Sequence, residues 1–156
     1  MVFSVDDLYL THEDQLALAA ANPENELVQH RGVPGTHDIH LAVSLLTSLV
    51  ERRPTRIPTY DKALFQGQGD RTDPETWQEV NKSGEPPIEV VIFEGWCVAF
   101  TSLDGATLKT KWEASREKRD PTSRLWRHDF EHIELMNNAL SQYDLLTKSV
   151  WLGGPH

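Results

Sequence analysis

Ile88-Glu89-Val90-Val91-Ile92-Phe93-Glu94-Gly95 is a run of β-branched and aromatic residues that ends on an acid and a glycine. An almost unbroken apolar run of this length is the pattern of a buried parallel strand. Val2-Phe3-Ser4-Val5 repeats it at the start of the chain and stops at Asp6-Asp7. Helical segments fill the space between and after. Thr11 can cap the first, with Asp14 three residues on as a near capping box, and Leu16, Leu18 and the alanines to Ala21 carry it until Asn22-Pro23. Thr36 or Asp38 caps the second, in which Ile39, Val43, Leu46 and Val50 recur at helical spacing and Leu45 and Leu49 widen the stripe. Arg52 and Arg53 suit its last turn, and Pro54 ends it. Leu108 to Arg119 reads as a charged helix. Arg127 to about Tyr143 reads as a final one, burying Phe130, Ile133, Met136 or Asn137, and Leu140. Strands alternating with helices predict an α/β fold with a mostly parallel sheet.

Residues 55 to 87 fit no regular element. They carry Gly67, Gly69, Gly84, Pro58, Pro74, Pro86 and Pro87, and a long irregular stretch inside one domain is usually functional or disordered. The 156 residues suit a single domain, 1–156, with no internal repeat or linker. A formal net charge of −9 argues against a nucleic-acid scaffold, which needs a basic face. The lone cysteine, Cys97, excludes an intramolecular disulfide and fits a reducing compartment. No apolar run nears the ~18 residues of a membrane span, and Met1-Val2-Phe3 runs at once into acids, so the expectation is a cytoplasmic protein without a membrane partner. Nothing in the sequence sets the oligomeric state.

In open α/β sheets ligands bind at the carboxyl ends of the strands, and both strands here end on acids, Asp6-Asp7 and Glu94. Phosphoryl transfer uses such acids to hold Mg²⁺ and to orient a hydroxyl nucleophile. Four stretches carry this further. Ser4-Val5-Asp6-Asp7-Leu8-Tyr9-Leu10-Thr11 resembles the second-strand motif of the glycerate-kinase-like and uridine-kinase-like P-loop kinases. Arg31-Gly32-Val33-Pro34-Gly35-Thr36-His37-Asp38 resembles the next motif of the plant and fungal glycerate 3-kinase branch. Ile57 to Phe65, continued by Gly67, Gly69, Asp70 and Arg71, resembles its substrate loop, and Val90 to Trp96 its Walker B strand. The resemblance covers residues 4–96 most closely and 97–146 more weakly; 147–156 is an unmatched tail.

This resemblance implies a three-layer P-loop NTPase-type fold and ATP-dependent phosphorylation of a small hydroxy acid such as glycerate, with ATP and Mg²⁺ as cofactors. It makes Asp6 the acceptor of the substrate's hydroxyl proton and Glu94 the acid that holds Mg²⁺ through water. Asp7 and Tyr9 would line the substrate pocket, and Arg31, Lys62 and Arg71 would bind the substrate's anionic group. Asp38 is expected as a helix cap first and a site residue second. The family's G-x-x-x-x-G-K-[ST] phosphate loop, one strand before the Asp6 motif, does not occur in the 156 residues. Asn81-Lys82-Ser83-Gly84 and Gly153-Gly154 are the nearest strings, and neither is expected to follow a strand. The expectation is an incomplete domain: a truncated gene model, an isoform or a degenerate copy.

Two other readings stand beside the kinase. One is a non-catalytic remnant that binds a partner, with Trp77, Trp96, Trp112, Trp126 and Trp151 as an aromatic surface. The other is a zinc site in His128-Asp129-Phe130-Glu131-His132, whose H-x-x-E-H spacing would put His128 and His132 one turn apart on a helix beside Glu134.

Overall fold

The computed structural model describes residues 1–119 and 122–146. The predicted α/β class is observed. Strand β1 (Val2–Ser4) pairs in parallel with β6 (Ile92–Glu94), with Val2 opposite Ile92 and Ser4 opposite Glu94. Helices α1 (His12–Ala21) and α2 (Ile39–Val50) follow β1, and α3 (Gly105–Lys118) and α4 (Phe130–Ser141) follow β6. The register matters for function: it brings both acidic strand ends to one edge.

The first strand is shorter than its apolar run suggests. Ser4 turns its hydroxyl to accept from the Asp6 N–H at 3.3 Å, which starts a tight 3₁₀ turn over Val5–Leu8. Val5 and Leu8 are fully buried while Asp6 and Asp7 point outward from the same turn. The later strand is also cut back. Only Ile92–Glu94 pairs, and Val90 and Ile92 are 64% and 57% exposed. A near-continuous apolar run needs cover on both faces, and among the described residues only one face is covered. Phe93 lies on that side and stacks on Phe3 at 5.6 Å.

Helix α2 supplies the core through Ile39, Ala42, Leu45, Leu46 and Leu49, packed with Phe3, Val5, Leu8, Cys97 and Tyr143. The buried stripe is rotated from the predicted one, for Val50 is 58% exposed. Asp38, of the two candidate caps, accepts from Leu41 N–H at 2.9 Å. Helix α2 stops at Val50 and Arg52 takes a left-handed φ of 54°, so Arg52 and Arg53 lie beyond the last turn. Helix α1 is capped as expected by Thr11, which accepts from Asp14 N–H at 3.2 Å and donates to its carboxylate at 2.6 Å. Helix α3 begins three residues earlier than predicted because Asp104 caps it through Thr107 N–H.

Residues 55 to 87 are not structureless. β2 (Thr55–Ile57) pairs antiparallel with β5 (Gln78–Val80), and β3 (Tyr60–Asp61) with β4 (Asp70–Arg71). Asn81 therefore does follow a strand, contrary to expectation, but that strand is an antiparallel ribbon with no helix after it. Strands of two or three residues leave no periodicity to read.

The turn after β6 requires a glycine. A Cβ on Gly95 would lie 2.2 Å from Val5 Cγ1 and 2.9 Å from Val98 Cγ2, and Val5 is fully buried and has no room to yield. Gly95→Ala is expected to destabilise the chain by about 1–3 kcal/mol, the usual cost of overpacking. Chemical denaturation checks this, and Val5→Ala in the same chain should restore part of the loss. An unchanged midpoint would refute the packing argument.

Candidate active site

The tight turn after β1 places its two carboxylates differently. Asp6 Oδ2 lies 2.6 Å from the Lys62 ammonium, and Asp6 Oδ1 accepts from the Tyr9 hydroxyl at 3.0 Å. Partial burial pushes the Asp6 carboxyl up, but Lys62 and Tyr9 outweigh it and hold it below the usual range. Asp6 is thus ionised with both oxygens oriented. Asp7 instead accepts from Tyr60 N–H at 3.2 Å and ties the turn to β3. Burial, with Asp6 and Glu94 adding repulsion, raises its carboxyl above the usual range. Glu94, opposite Ser4 in the parallel pair, stands exposed at the same edge.

The Arg31–Asp38 segment is laced to this turn. Asp38 N–H donates to Leu8 O at 2.7 Å and Leu10 N–H to Thr36 O at 3.0 Å. That brings His37 against Tyr9, with ring centroids 4.5 Å apart. Arg31 reaches the other way. Its Nη1 donates to the carbonyls of Gly67, at 2.7 Å, and of Gln68, and its guanidinium lies 5.7 Å from the Tyr60 ring centre. Gly69 lets this loop pass Tyr60. Its φ is +80°, and a Cβ there would come within 2.5 Å of the Tyr60 ring.

A cleft of about 480 Å³ opens beside these groups. Tyr9 and Lys62, the two partners of Asp6, line it, with Arg31, Gln15, His30 and Gln68. Two basic side chains beside an oriented carboxylate suit a small anion that also carries a hydroxyl. Of the residues expected from sequence, Tyr9, Arg31 and Lys62 line the cleft, Asp6 is bonded to two of them, and Asp7 is turned to the Tyr60 N–H. Arg71 does not line the cleft. Its Nη2 donates to Asp38 at 3.1 Å and to the Tyr9 carbonyl at 3.0 Å, and its side chain is only 14% exposed. It braces the site from behind.

Sequence reading missed Gln15 as a cleft-lining residue. A lone glutamine on a helix carries no signal of its own. The zinc spacing fails on local structure. Helix α4 starts at Phe130, and His128 precedes it with extended backbone, φ −114° and ψ 151°, so His128 and His132 are not successive turns of one helix. His128 instead offers its carbonyl to Trp112 Nε1 at 2.9 Å. Among the described residues no group of three or more His, Cys, Asp or Glu side chains could hold a metal ion, and no helix is long and apolar enough to cross a membrane. Trp151 lies outside the described residues.

No protein-family profile matches the chain. Individual proteins do. The chain is 43% identical over 126 residues to the uncharacterised kinase mug58 of Schizosaccharomyces pombe, a match spanning 80% of the chain and 44% of that kinase. It is 42% identical over 110 residues to the chloroplastic D-glycerate 3-kinase of Arabidopsis thaliana, spanning 68% of the chain and 23% of that protein. The fold superimposes on D-glycerate 3-kinase from Cryptococcus neoformans var. grubii with a TM-score of 0.83 and 34% identity, covering 96% of the chain and 50% of that structure. The chain therefore spans half or less of the length of these relatives. By sequence and by fold together, over the stretch it shares with them, it belongs to the glycerate kinase-like family.

Proposed function

We propose that this chain forms the acceptor-substrate half of a kinase site that phosphorylates a hydroxyl of a small hydroxy acid, glycerate being the best-fitting candidate. The carrying observation is Asp6, ionised and held between Tyr9 and Lys62 at the edge of a cleft lined by Arg31 and Lys62. Arg31 and Lys62 bind the carboxylate of the acceptor. Asp6 accepts the proton of the attacking hydroxyl. Its lowered basicity is tolerable because in a loose phosphoryl-transfer transition state the nucleophile needs orientation more than full deprotonation. Asp7 and Arg71 hold the loops that carry these groups.

Glu94, a hard oxygen donor at the shared strand edge, fits Mg²⁺. That ion usually takes one or two carboxylates and completes its shell with water and substrate phosphates. When bound it would neutralise charge on the transferred group. ATP is the phosphoryl donor under this reading, but the 156 residues hold no G-x-x-x-x-G-K-[ST] string to cradle its phosphates. We infer that the chain on its own is impaired as a kinase. A non-catalytic, partner-binding role has no comparable observation in its favour.

The test joins the chain to an upstream strand and phosphate loop and offers glycerate and uridine. Phosphorylation of glycerate but not uridine is expected. Turnover of uridine alone would refute the acid-binding reading, because uridine has no carboxylate for Arg31 and Lys62.

A further inference from the structure

Arg31 reaches the cleft from a backbone that has little stiffness of its own. The residue after it is Gly32, at φ +137°, a conformation that residues with a side chain rarely adopt. Beyond its chain neighbours no atom lies within 4 Å of where a Cβ would be, so the conformation and not crowding calls for glycine. Both polar groups of Gly32 are nevertheless pinned by side chains. Its N–H donates to Thr36 Oγ1 at 2.9 Å, and that buried hydroxyl donates in turn to the Val33 carbonyl at 2.7 Å. Its carbonyl accepts from Trp96 Nε1 at 2.9 Å, across 64 residues of sequence. Trp96 is 53% exposed and meets Phe100, itself 54% exposed, edge-on at 5.8 Å. An indole left half in water is poorly used as core, so its bond to Gly32 is the contact that calls for an explanation.

We propose that Trp96 is a positioning residue: by holding the Gly32 carbonyl it fixes the direction in which Arg31 presents its guanidinium to the carboxylate of the acceptor. This rests on the reading of the cleft as the acceptor site. Trp96 does not itself line the cleft, so it acts through Gly32. The far end of Arg31 is set by the Gly67 and Gln68 carbonyls, which both accept from Nη1. Nη1 carries two N–H bonds, so these two leave the Nη2 and Nε edge for the carboxylate. A bidentate grip through that edge depends on the plane of the guanidinium, and an unpinned Gly32 peptide would let that plane drift. Glycine loses more freedom on ordering than any other residue, so a clamp in place before the ligand arrives spares that cost at binding. Trp96 also stands two residues beyond Glu94, across the Gly95 turn packed on Val5, so one support carries the proposed Mg²⁺ acid and the clamp on Arg31.

The experiment is calorimetric titration of the 156-residue chain with D-glycerate in wild type, Trp96→Phe, Arg31→Ala and the double variant. Trp96→Phe removes the N–H and keeps an aromatic ring beside Phe100. It should weaken D-glycerate binding by about three- to tenfold, the span of one uncharged hydrogen bond. In the Arg31→Ala background, where Lys62 still supplies a cation to the cleft, the same substitution should have almost no further effect. The Gly32 amide should also gain motion in Trp96→Phe, read by NMR as a fall in its backbone heteronuclear NOE. Three results would overturn the proposal while sparing the acceptor-site reading. One is unchanged D-glycerate affinity in Trp96→Phe. Another is an equal loss with and without Arg31, which would make Trp96 a structural contact that does not act through it. The third is an unchanged Gly32 NOE. No measurable binding of D-glycerate to wild type would overturn the acceptor-site reading and this proposal with it.

Discussion

Asp6→Asn, in the chain joined to an upstream phosphate-binding strand and loop, is expected to lower turnover by about 10²–10⁴-fold, the usual contribution of a general base. Affinity for Mg-ATP and for the acceptor should change little. The amide keeps the size of the carboxylate and still accepts from the Tyr9 hydroxyl, so the turn after β1 stays in place. It cannot take a proton. The lost pairing with Lys62 costs little by itself, because that ammonium is 55% exposed and water replaces the partner. A drop in kcat with KM nearly constant is the signature of an interaction made in the transition state. Glu94→Gln should behave differently, weakening Mg-ATP affinity and turnover together. Retention of more than about a tenth of wild-type turnover in Asp6→Asn would contradict the assignment. Asp7 would be the next carboxylate to test, although its bond to Tyr60 N–H gives it a bracing task.

The second large effect is a dependence of stability on pH. His37 is buried, stacked on Tyr9, and its Nδ1 shares a hydrogen bond of 2.5 Å with the Tyr143 hydroxyl. Its Nε2 has no partner among the described residues. Protonation would place a charge in the core with one N–H unmatched, and burial accordingly lowers the imidazole from its ordinary 6.5 to about 4, against a weak opposing pull from Asp6. The sign follows from linkage. The unfolded chain takes up this proton near pH 6.5 and the folded chain only near pH 4. The contribution of neutral His37 to stability is therefore complete above about pH 6.5 and is lost progressively as pH falls toward 4. Between pH 7 and pH 5 the loss is about 2 kcal/mol. His37→Gln, which can still bond the Tyr143 hydroxyl but cannot charge, should flatten the profile by that amount. Denaturation midpoints at pH 7 and 5 for both proteins give the answer, and equal slopes would rule out His37 as the titrating group.

Much of the site was legible before any coordinates. Strand runs that stop at Asp6-Asp7 and at Glu94 predicted acids at one sheet edge, and the register of Ser4 opposite Glu94 delivers that. Lys62 and Arg31 were legible as cations in motif order, and they do flank one cleft. What escaped depended on pairings between distant residues. Arg71 has the composition of a substrate ligand, yet Asp38 and the Tyr9 carbonyl already occupy it. The ribbon β3–β4 is tied to the rest of the chain by Asp7 and Asp70 rather than by an apolar pattern, and β2–β5 reaches the core only through Val80 and Ile57. Helix α1 shows the limit most clearly. Periodicity pointed to its leucines, but Leu16 is 51% exposed and Gln15 is the residue that is buried.

The central claim is that these residues hold the acceptor and leave the nucleotide's phosphates to other sequence. Parallel calorimetric titrations of the 156-residue chain with D-glycerate and with Mg-ATP test it directly. The account predicts saturable binding of D-glycerate, weakened in Arg31→Ala, which removes a cleft cation and the brace on the Gly67 and Gln68 carbonyls. It predicts no comparable binding of Mg-ATP. Tight binding of Mg-ATP with no binding of D-glycerate would contradict it.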